Sequence, residues 1–203
     1  MKTIIHSILL TVFIVAVTSC KNDVKKKEKE SSNTGYTIDT NRTAINWTAY
    51  KTTDKVAVAG KFTFFNITNN HSGNTISEAL DGAEFSIPVT SVFSNNSSRD
   101  YKIKNVFFGV MKNTELISGK IQLNDATSGL VMLTMNDTTK ELPFSYVLSD
   151  QHIEMSTVMK ISDWALPALE SIHKACELLH TGPDGISKTW DEAAIDIDVY
   201  FKK

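Results

Sequence analysis

Residues 193–202, Ala-Ala-Ile-Asp-Ile-Asp-Val-Tyr-Phe-Lys, contain the clearest structural signal in the chain. Apolar and polar side chains alternate through this stretch, and its apolar positions are Ile195, Ile197, Val199 and Phe201. Successive side chains of a β-strand point to opposite faces, so a period of two predicts a strand that buries one face and exposes the other. The C-terminal segment is therefore predicted to be a strand of a sheet whose core lies on one side.

The same period recurs upstream through most of the chain after residue 35. Turn sequences rich in Asn, Asp, Ser, Thr and Gly, such as residues 124–129 and 136–139, separate the alternating runs. Short strands joined in this way predict an antiparallel barrel or sandwich of about eight strands. The strands are predicted within residues 36–40, 44–50, 56–64, 85–90, 121–123, 130–135, 142–148, 153–161 and 195–201.

Two details of the third strand stand out from this pattern. Gly60 interrupts a run of larger residues and predicts a bend or the close approach of another group to the backbone. Beyond Phe64 the apolar phase moves by one residue to Phe65 and Ile67, which indicates a β-bulge.

Two segments have helical periodicity. Residues 98–107 predict a short helix that begins at Ser98 as its N-cap. Residues 164–180 predict a longer helix that ends before Gly182-Pro183. Lying between the last two strands, it is expected to cover one mouth of a barrel. Its apolar stripe consists of Leu166, Leu169, Ile172, Cys176 and Leu179.

The N-terminus has the features of a secretory signal. Lys2 precedes an apolar stretch from Ile4 to Val17 that is too short to span a bilayer, so residues 1–19 are interpreted as a cleaved signal peptide. Residues 17–20, Val-Thr-Ser-Cys, resemble the lipobox of bacterial lipoproteins. That resemblance makes Cys20 the lipidated N-terminus of the mature protein, although an ordinary signal cut after Ser19 also fits these residues.

Residues 21–34 are charged and almost free of apolar side chains. Such a segment cannot bury enough surface to fold, so residues 20–35 are interpreted as a lipidated cysteine followed by a stalk. Residues 36–203 carry 15 basic and 20 acidic side chains, and this negative balance argues against a nucleic-acid partner. Their length suits one domain. Cys176 has no second free cysteine to pair with once Cys20 is acylated.

Several motifs together resemble the YceI-like family. They are Tyr36-Thr-Ile-Asp39 followed by Trp47, the run Val58-Ala-Gly-Lys-Phe62, the segment Arg99-Asp100-Tyr-Lys-Ile103-Lys-Asn-Val-Phe107-Phe108, and Lys188-Thr-Trp190. The resemblance implies an all-β fold, an eight-stranded antiparallel lipocalin-like barrel with a helical cap over residues 36–203. It also implies that a polyisoprenoid or another amphiphilic lipid is bound in the barrel interior.

The chain departs from the family pattern around its best motif. Lys102 stands where family members commonly have His, and Val106 and Gly109 replace acidic residues that often flank the Phe-Phe pair. Thr114 stands in place of a common proline. These changes leave the barrel in place and bear on the shape and polarity of the ligand entrance.

Apolar residues on inward faces serve either a packed core or a ligand site, because an eight-stranded barrel is near the size at which its interior is just filled. The methionines favour a ligand site more specifically than the other apolar residues do. Met132, Met135, Met155 and Met159 fall in two consecutive strand runs, and Met adapts to irregular apolar partners. The predicted ligand-binding residues are Phe62, Phe64, Phe85, Ile87, Phe107, Phe108, Met132, Phe144, Met155, Met159, Ile197 and Val199.

Arg99 and Asp100 admit a structural and a functional interpretation. Asp100 suits the first turn of a helix, where Arg99 can pair with a nearby acid. Alternatively, Arg99 meets a polar lipid head at the barrel mouth.

No catalytic signature is present, and neither an enzyme nor a metal site is predicted. Glu170, His173, Glu177 and His180 share a helix face, an arrangement that an exposed polar face produces as readily as a metal site does.

The predicted function is that of an extracytoplasmic lipoprotein that carries an apolar lipid of polyisoprenoid or quinone type, with no other cofactor. The alternative is an envelope interaction or stress-response protein that acts through its loops. Lys21 instead of Asp after Cys20 favours an outer-membrane anchor facing the periplasm, by analogy with lipoprotein sorting.

Overall fold

Alternating strands dominate the structure as the sequence predicts. A computed structural model describes residues 35–203. The predicted signal peptide, Cys20 and the stalk up to residue 34 lie outside the described residues. The strands are β1 (Thr37–Ile38), β2 (Ala44–Lys51), β3 (Val56–Phe62), β4 (Asn66–Ile67), β5 (Glu84–Pro88), β6 (Val92–Phe93), β7 (Leu116–Leu123), β8 (Ser128–Met135), β9 (Thr138–Ser149), β10 (His152–Met159) and β11 (Thr189–Lys202).

Three α-helices and several tighter or wider turns interrupt the strands. The helices are α1 (Ile76–Leu80), α2 (Ser97–Lys102) and α3 (Ser162–Ala175). A π-helical turn (Ile103–Phe107) and a 3₁₀ turn (Phe108–Val110) continue α2, and 3₁₀ turns also occur at Val89–Ser91 and Glu177–Leu179. Of the helices in residues 35–203, none is long and apolar enough to cross a bilayer.

The strands form one sheet in the order β4-β5-β7-β8-β9-β10-β11-β2-β3-β6, with β1 added on β11. Within residues 35–203 every strand pair is antiparallel. Eight strands have five residues or more, and β1, β4 and β6 have two residues each. The prediction of an all-β antiparallel barrel is confirmed and the sandwich is excluded, but residues 35–203 form eleven strands, three of them with two residues each, instead of eight.

The barrel closes where β3 and β5 face each other without a ladder between them. The chain crosses this gap twice, through residues 63–65 and 89–91. The amide of Thr63 donates to the carbonyl of Ser91 at 2.9 Å, and the Ser91 hydroxyl donates to the carbonyl of Phe64 at 3.0 Å. The phase shift after Phe64 is therefore a crossing from one edge of the sheet to the other, and the predicted bulge is wrong.

The two ends of the barrel differ. At one end, here called the base, Thr37 pairs with Lys202 near the finish of β11, and α1 buries its apolar side chains. At the other end, here called the cap, Thr189 pairs with Lys51 at the start of β11. Both α3, which follows β10, and the α2 segment, which precedes β7, lie at the cap.

The N-cap of the short helix lies two residues earlier than predicted. Asn96, not Ser98, is its N-cap, because the Asn96 side chain accepts the amide of Arg99 at 3.0 Å. The helical run also extends beyond Phe107 to Val110. The capping helix is confirmed, but it starts at Ser162 and ends at Ala175, and a 3₁₀ turn at Glu177–Leu179 takes the place of its predicted last residues. Its backbone is non-helical at Ala165, before Pro167.

Hairpin turns follow the predicted turn chemistry. Asn136 and Asp137 both have positive φ, 55° each, as a two-residue type I′ hairpin requires. Asp125 closes the β7–β8 connection by accepting the amides of Thr127 and Ser128, each at 2.8 Å. Both turns hold neighbouring strands in the register that brings their apolar faces to the barrel interior.

Candidate ligand-binding cavity

An elongated cavity of about 670 Å³ occupies the barrel interior. It follows β11 from Thr189 at the cap to Val199 near the base, and the walls come from alternate residues of the long strands. A volume of this size falls within the roughly 300–1,000 Å³ typical of small-molecule sites. The interior is therefore not filled by the side chains of the protein.

Ten of the twelve predicted ligand-binding residues line this cavity: Phe62, Phe85, Ile87, Phe107, Phe108, Phe144, Met155, Met159, Ile197 and Val199. Strand alternation places most of them, since an inward residue is followed by an outward one. Phe107 and Phe108 reach the cavity from the helical segment that follows α2, and their rings pack edge to face with centroids 5.0 Å apart.

Phe64 and Met132 do not line the cavity. Phe64 lies in the crossing between β3 and β4, where its side chain is 53% exposed. Met132 lies in β8, whose inward residues are Val131, Leu133 and Met135. Because β8 is apolar at every position from 130 to 133, alternation alone does not decide which phase faces inward.

Several wall residues are not among the predicted ligand-binding residues. Trp47, Ala49 and Lys51 are alternate residues of β2, and all three line the cavity. Phe65 and Ile67 reach the cavity only because the chain crosses the gap next to them. Trp47 also explains Gly60, because a Cβ added there would overlap the Trp47 ring.

Helix α3 closes the cavity at the cap. Four of the five residues of the predicted stripe line the cavity. Two belong to α3 and two follow it in the chain: Leu169, Ile172, Cys176 and Leu179. Leu166 is instead 49% exposed. The start of the helix is tied to β11, because the amide of Ser162 donates to Asp191 at 2.7 Å. Burial raises the pKa of the Cys176 thiol, so this wall residue stays neutral at neutral pH.

The histidines of α3 and its following turn converge on one hydroxyl and do not form a metal site with their neighbouring glutamates. Nδ1 of His173 lies 3.1 Å and Nδ1 of His180 lies 2.6 Å from Oγ1 of Thr189. Burial, helped by the nearby Lys51 and Lys102 ammonium groups, lowers the pKa of His180 to about 4. His180 is thus a neutral wall residue at neutral pH.

Arg99 and Asp100 have separate roles. Asp100 accepts the amide of Ser94 at 2.8 Å and its hydroxyl at 2.5 Å, which fixes the loop before α2. Arg99 lines the cavity, and within residues 35–203 it forms no ion pair. The pairing of Arg99 with an acid is therefore not found.

A separate polar cluster lies on the outer face of the sheet. His152 is within 3.2 Å of Asp198 and 3.7 Å of Glu154, and its ring stacks on Tyr200 with centroids 4.2 Å apart. In the described part of the chain it is the group whose ligand atoms lie close enough together to hold a metal ion.

Fold and cavity together define a class of protein: an antiparallel β-barrel with a continuous apolar interior beneath a helical cap. The chain belongs to the YceI-like domain family, whose sequence profile matches residues 36–201. A comparison with curated protein sequences finds no match.

Solved structures share this fold at low identity. A polyisoprenoid binding domain from Saccharophagus degradans, implicated in plant cell wall breakdown, superposes with a TM-score of 0.57 at 13% identity, over 83% of this chain and 98% of that one. Burkholderia cenocepacia BcnA gives 0.56 at 15% identity, over 82% and 99%. A Campylobacter jejuni YCEI protein gives 0.50 at 14% identity, over 72% and 85%.

Proposed function

We propose that this protein binds the apolar chain of a lipid inside its barrel and carries it in the cell envelope. One observation supports this above the others: the interior holds a continuous apolar space of about 670 Å³ from Thr189 to Val199. The description of a structural relative as a polyisoprenoid binding domain supports the same conclusion.

Burial of the chain supplies the binding energy. Removing a methylene from water contributes about 0.8 kcal/mol, so a chain of about 20 carbons gains on the order of 16 kcal/mol. Binding also costs roughly 4–15 kcal/mol, because the lipid loses translational, rotational and conformational freedom. Subtracting a cost in the middle of this range from the burial energy leaves about 8 kcal/mol, which corresponds to a micromolar Kd. No covalent chemistry is needed for this function.

We further propose that Cys20 is lipidated and holds the barrel at a membrane outside the cytoplasm, with the outer membrane facing the periplasm as the favoured site. Thr37 pairs with Lys202, so the chain enters the barrel at the base. The proposal rests on the lipobox-like residues 17–20 and on Lys21 after them.

The experiment is to purify the protein from the organism that makes it and to measure its mass under native and denaturing conditions. We expect a stoichiometric apolar lipid that is released on unfolding, together with acyl chains that remain covalently attached. A folded protein without any lipid would contradict the carrier function and favour an envelope protein that acts through its loops.

A Cys20→Ser variant separates anchoring from binding. It is expected to lose the covalent acyl chains and membrane association while it retains the interior lipid. If the variant stays in the membrane fraction, the proposed anchor is wrong, whatever the barrel contains.

A further inference from the structure

The charged side chains in the cavity wall are all cationic. Lys51 at the end of β2, and Arg99 and Lys102 of α2, line the cavity at the cap. Each of these side chains is half-buried. Among the described residues, no Asp or Glu lines the cavity, and none of the three cations forms an ion pair. The cap end of an apolar tunnel therefore carries positive charge without a protein counter-ion.

Two of these cations converge from different elements. The ammonium of Lys51 donates to the carbonyl of Leu179 at 3.2 Å, which holds it beside the last turn of the cap. Lys51 and Lys102 both act electrostatically on the cavity residues Cys176 and His180. Both ammonium groups therefore lie at the cap end of the cavity, near Cys176 and His180.

The cationic groups are costly without a ligand. Like charges brought together at a half-buried, low-dielectric wall repel each other more strongly than they do in water. His180 does not relieve this repulsion, since burial keeps it neutral, and Cys176 stays a neutral thiol. An anion at this position would be attracted by all three cations, because a cleft lined by one sign of charge concentrates its field.

We propose that the lipid carried by this protein has an anionic head, a carboxylate or a phosphate, which lies against Lys51 and Lys102 while its chain fills the tunnel towards Val199. This inference rests on the proposed lipid-binding function and narrows it. Lipids with uncharged heads, such as quinones and free prenols, are the poorer ligands.

The test compares lipids that differ only in head charge. The full chain is titrated with geranylgeranyl phosphate and with geranylgeraniol, and in a second arm with palmitate and with hexadecanol. Binding is followed by tryptophan fluorescence, because Trp47 and Trp190 line the cavity. We expect the charged member of at least one pair to bind about tenfold more tightly or better, as charge-assisted hydrogen bonds allow.

The two arms identify the source of the anion. Preference for the phosphate alone assigns a phosphorylated isoprenoid, and preference for palmitate alone assigns a fatty acid. Raising the salt concentration should weaken the charged lipids and leave the alcohols almost unchanged. This salt measurement uses the unaltered protein and does not depend on any variant folding.

Matched variants assign the charge preference to its residues. The double variant Lys51→Gln, Lys102→Gln should bind each pair with nearly equal affinity. Lys104→Gln removes a cation from the same helical run that does not line the cavity, and it should retain the preference. Equal affinities in the unaltered protein, or an undiminished preference in the double variant, would overturn the inference. If neither member of any pair binds, it is the proposed lipid-binding function that fails.

Discussion

Replacement of Ala193 by Phe should block the tunnel. Ala193 is 9% exposed and lines the cavity, and its partners Ala49 and Met159 on the flanking strands line it too. The ring adds about six carbon atoms to this level of the cavity and displaces a similar number of ligand methylenes, worth about 5 kcal/mol. A lipid that recovers half of that contact elsewhere loses about 2.5 kcal/mol, close to 60-fold in affinity.

Ala194 provides the matched control. It is the next residue of β11, so its side chain points to the other face of the sheet, and it does not line the cavity. Both variants are titrated with the tightest-binding lipid, and urea unfolding checks that each is folded. Ala193→Phe should weaken binding about 60-fold and Ala194→Phe by less than about twofold. Equal affinities in the two folded variants would refute an interior site.

Three further predictions concern stability. Gly60→Ala places a Cβ against the Trp47 ring, so it should lower the free energy of unfolding by about 1–3 kcal/mol. A thermal melt should show a Tm lower by roughly 3–10 °C, and an unchanged Tm would contradict this packing. Hydrogen bonds, chiefly from the backbone amide of Thr127, lower the pKa of Asp125, so its carboxylate stabilises the fold at neutral pH and this contribution is lost as pH falls through the folded-state pKa. Asp125→Ala should therefore reduce Tm at pH 7, and its difference in Tm from the parent should shrink as the pH is lowered. Because the pKa of His180 falls to about 4 in the folded protein, the unfolded chain takes up a proton first, and stability should decline as pH falls from about 6.5 towards 4. Urea titrations at pH 7 and 4.5 measure this loss. The free energy of unfolding should fall less between the two pH values in His180→Gln than in the parent, and equal losses would refute the role of His180.

Strand patterning made much of the fold predictable. The alternation in β11 assigned its inward residues correctly, because the faces of a strand are determined by the period of its own residues. The cap helix was predictable for the same reason, since four residues of its stripe line the cavity. The resemblance to the YceI-like family then favoured a barrel over a sandwich.

The failures occurred where a residue's position depends on distant parts of the chain. Phe64 is exposed because β3 ends at Phe62 and the chain crosses to another strand, and no local pattern marks that crossing. Met132 lies in a run that is apolar on both faces, so only the neighbouring strands decide its direction. The N-cap was misplaced by two residues because Asn96 and Ser98 are both good caps.

Most apolar lining residues of the candidate site were predictable from the sequence, but the existence and the volume of the cavity were not. Lys51, Arg99 and Lys102 are separated by up to 51 positions, and only folding brings them to one end of one cavity. By itself, the sequence determined which residues face inward on regular strands, where the cap helix lies and which family the domain resembles. Tertiary structure alone decided that the interior stays open and that its cap end is cationic, because the width of a barrel follows from the number and stagger of its strands and from contacts between residues far apart in the chain.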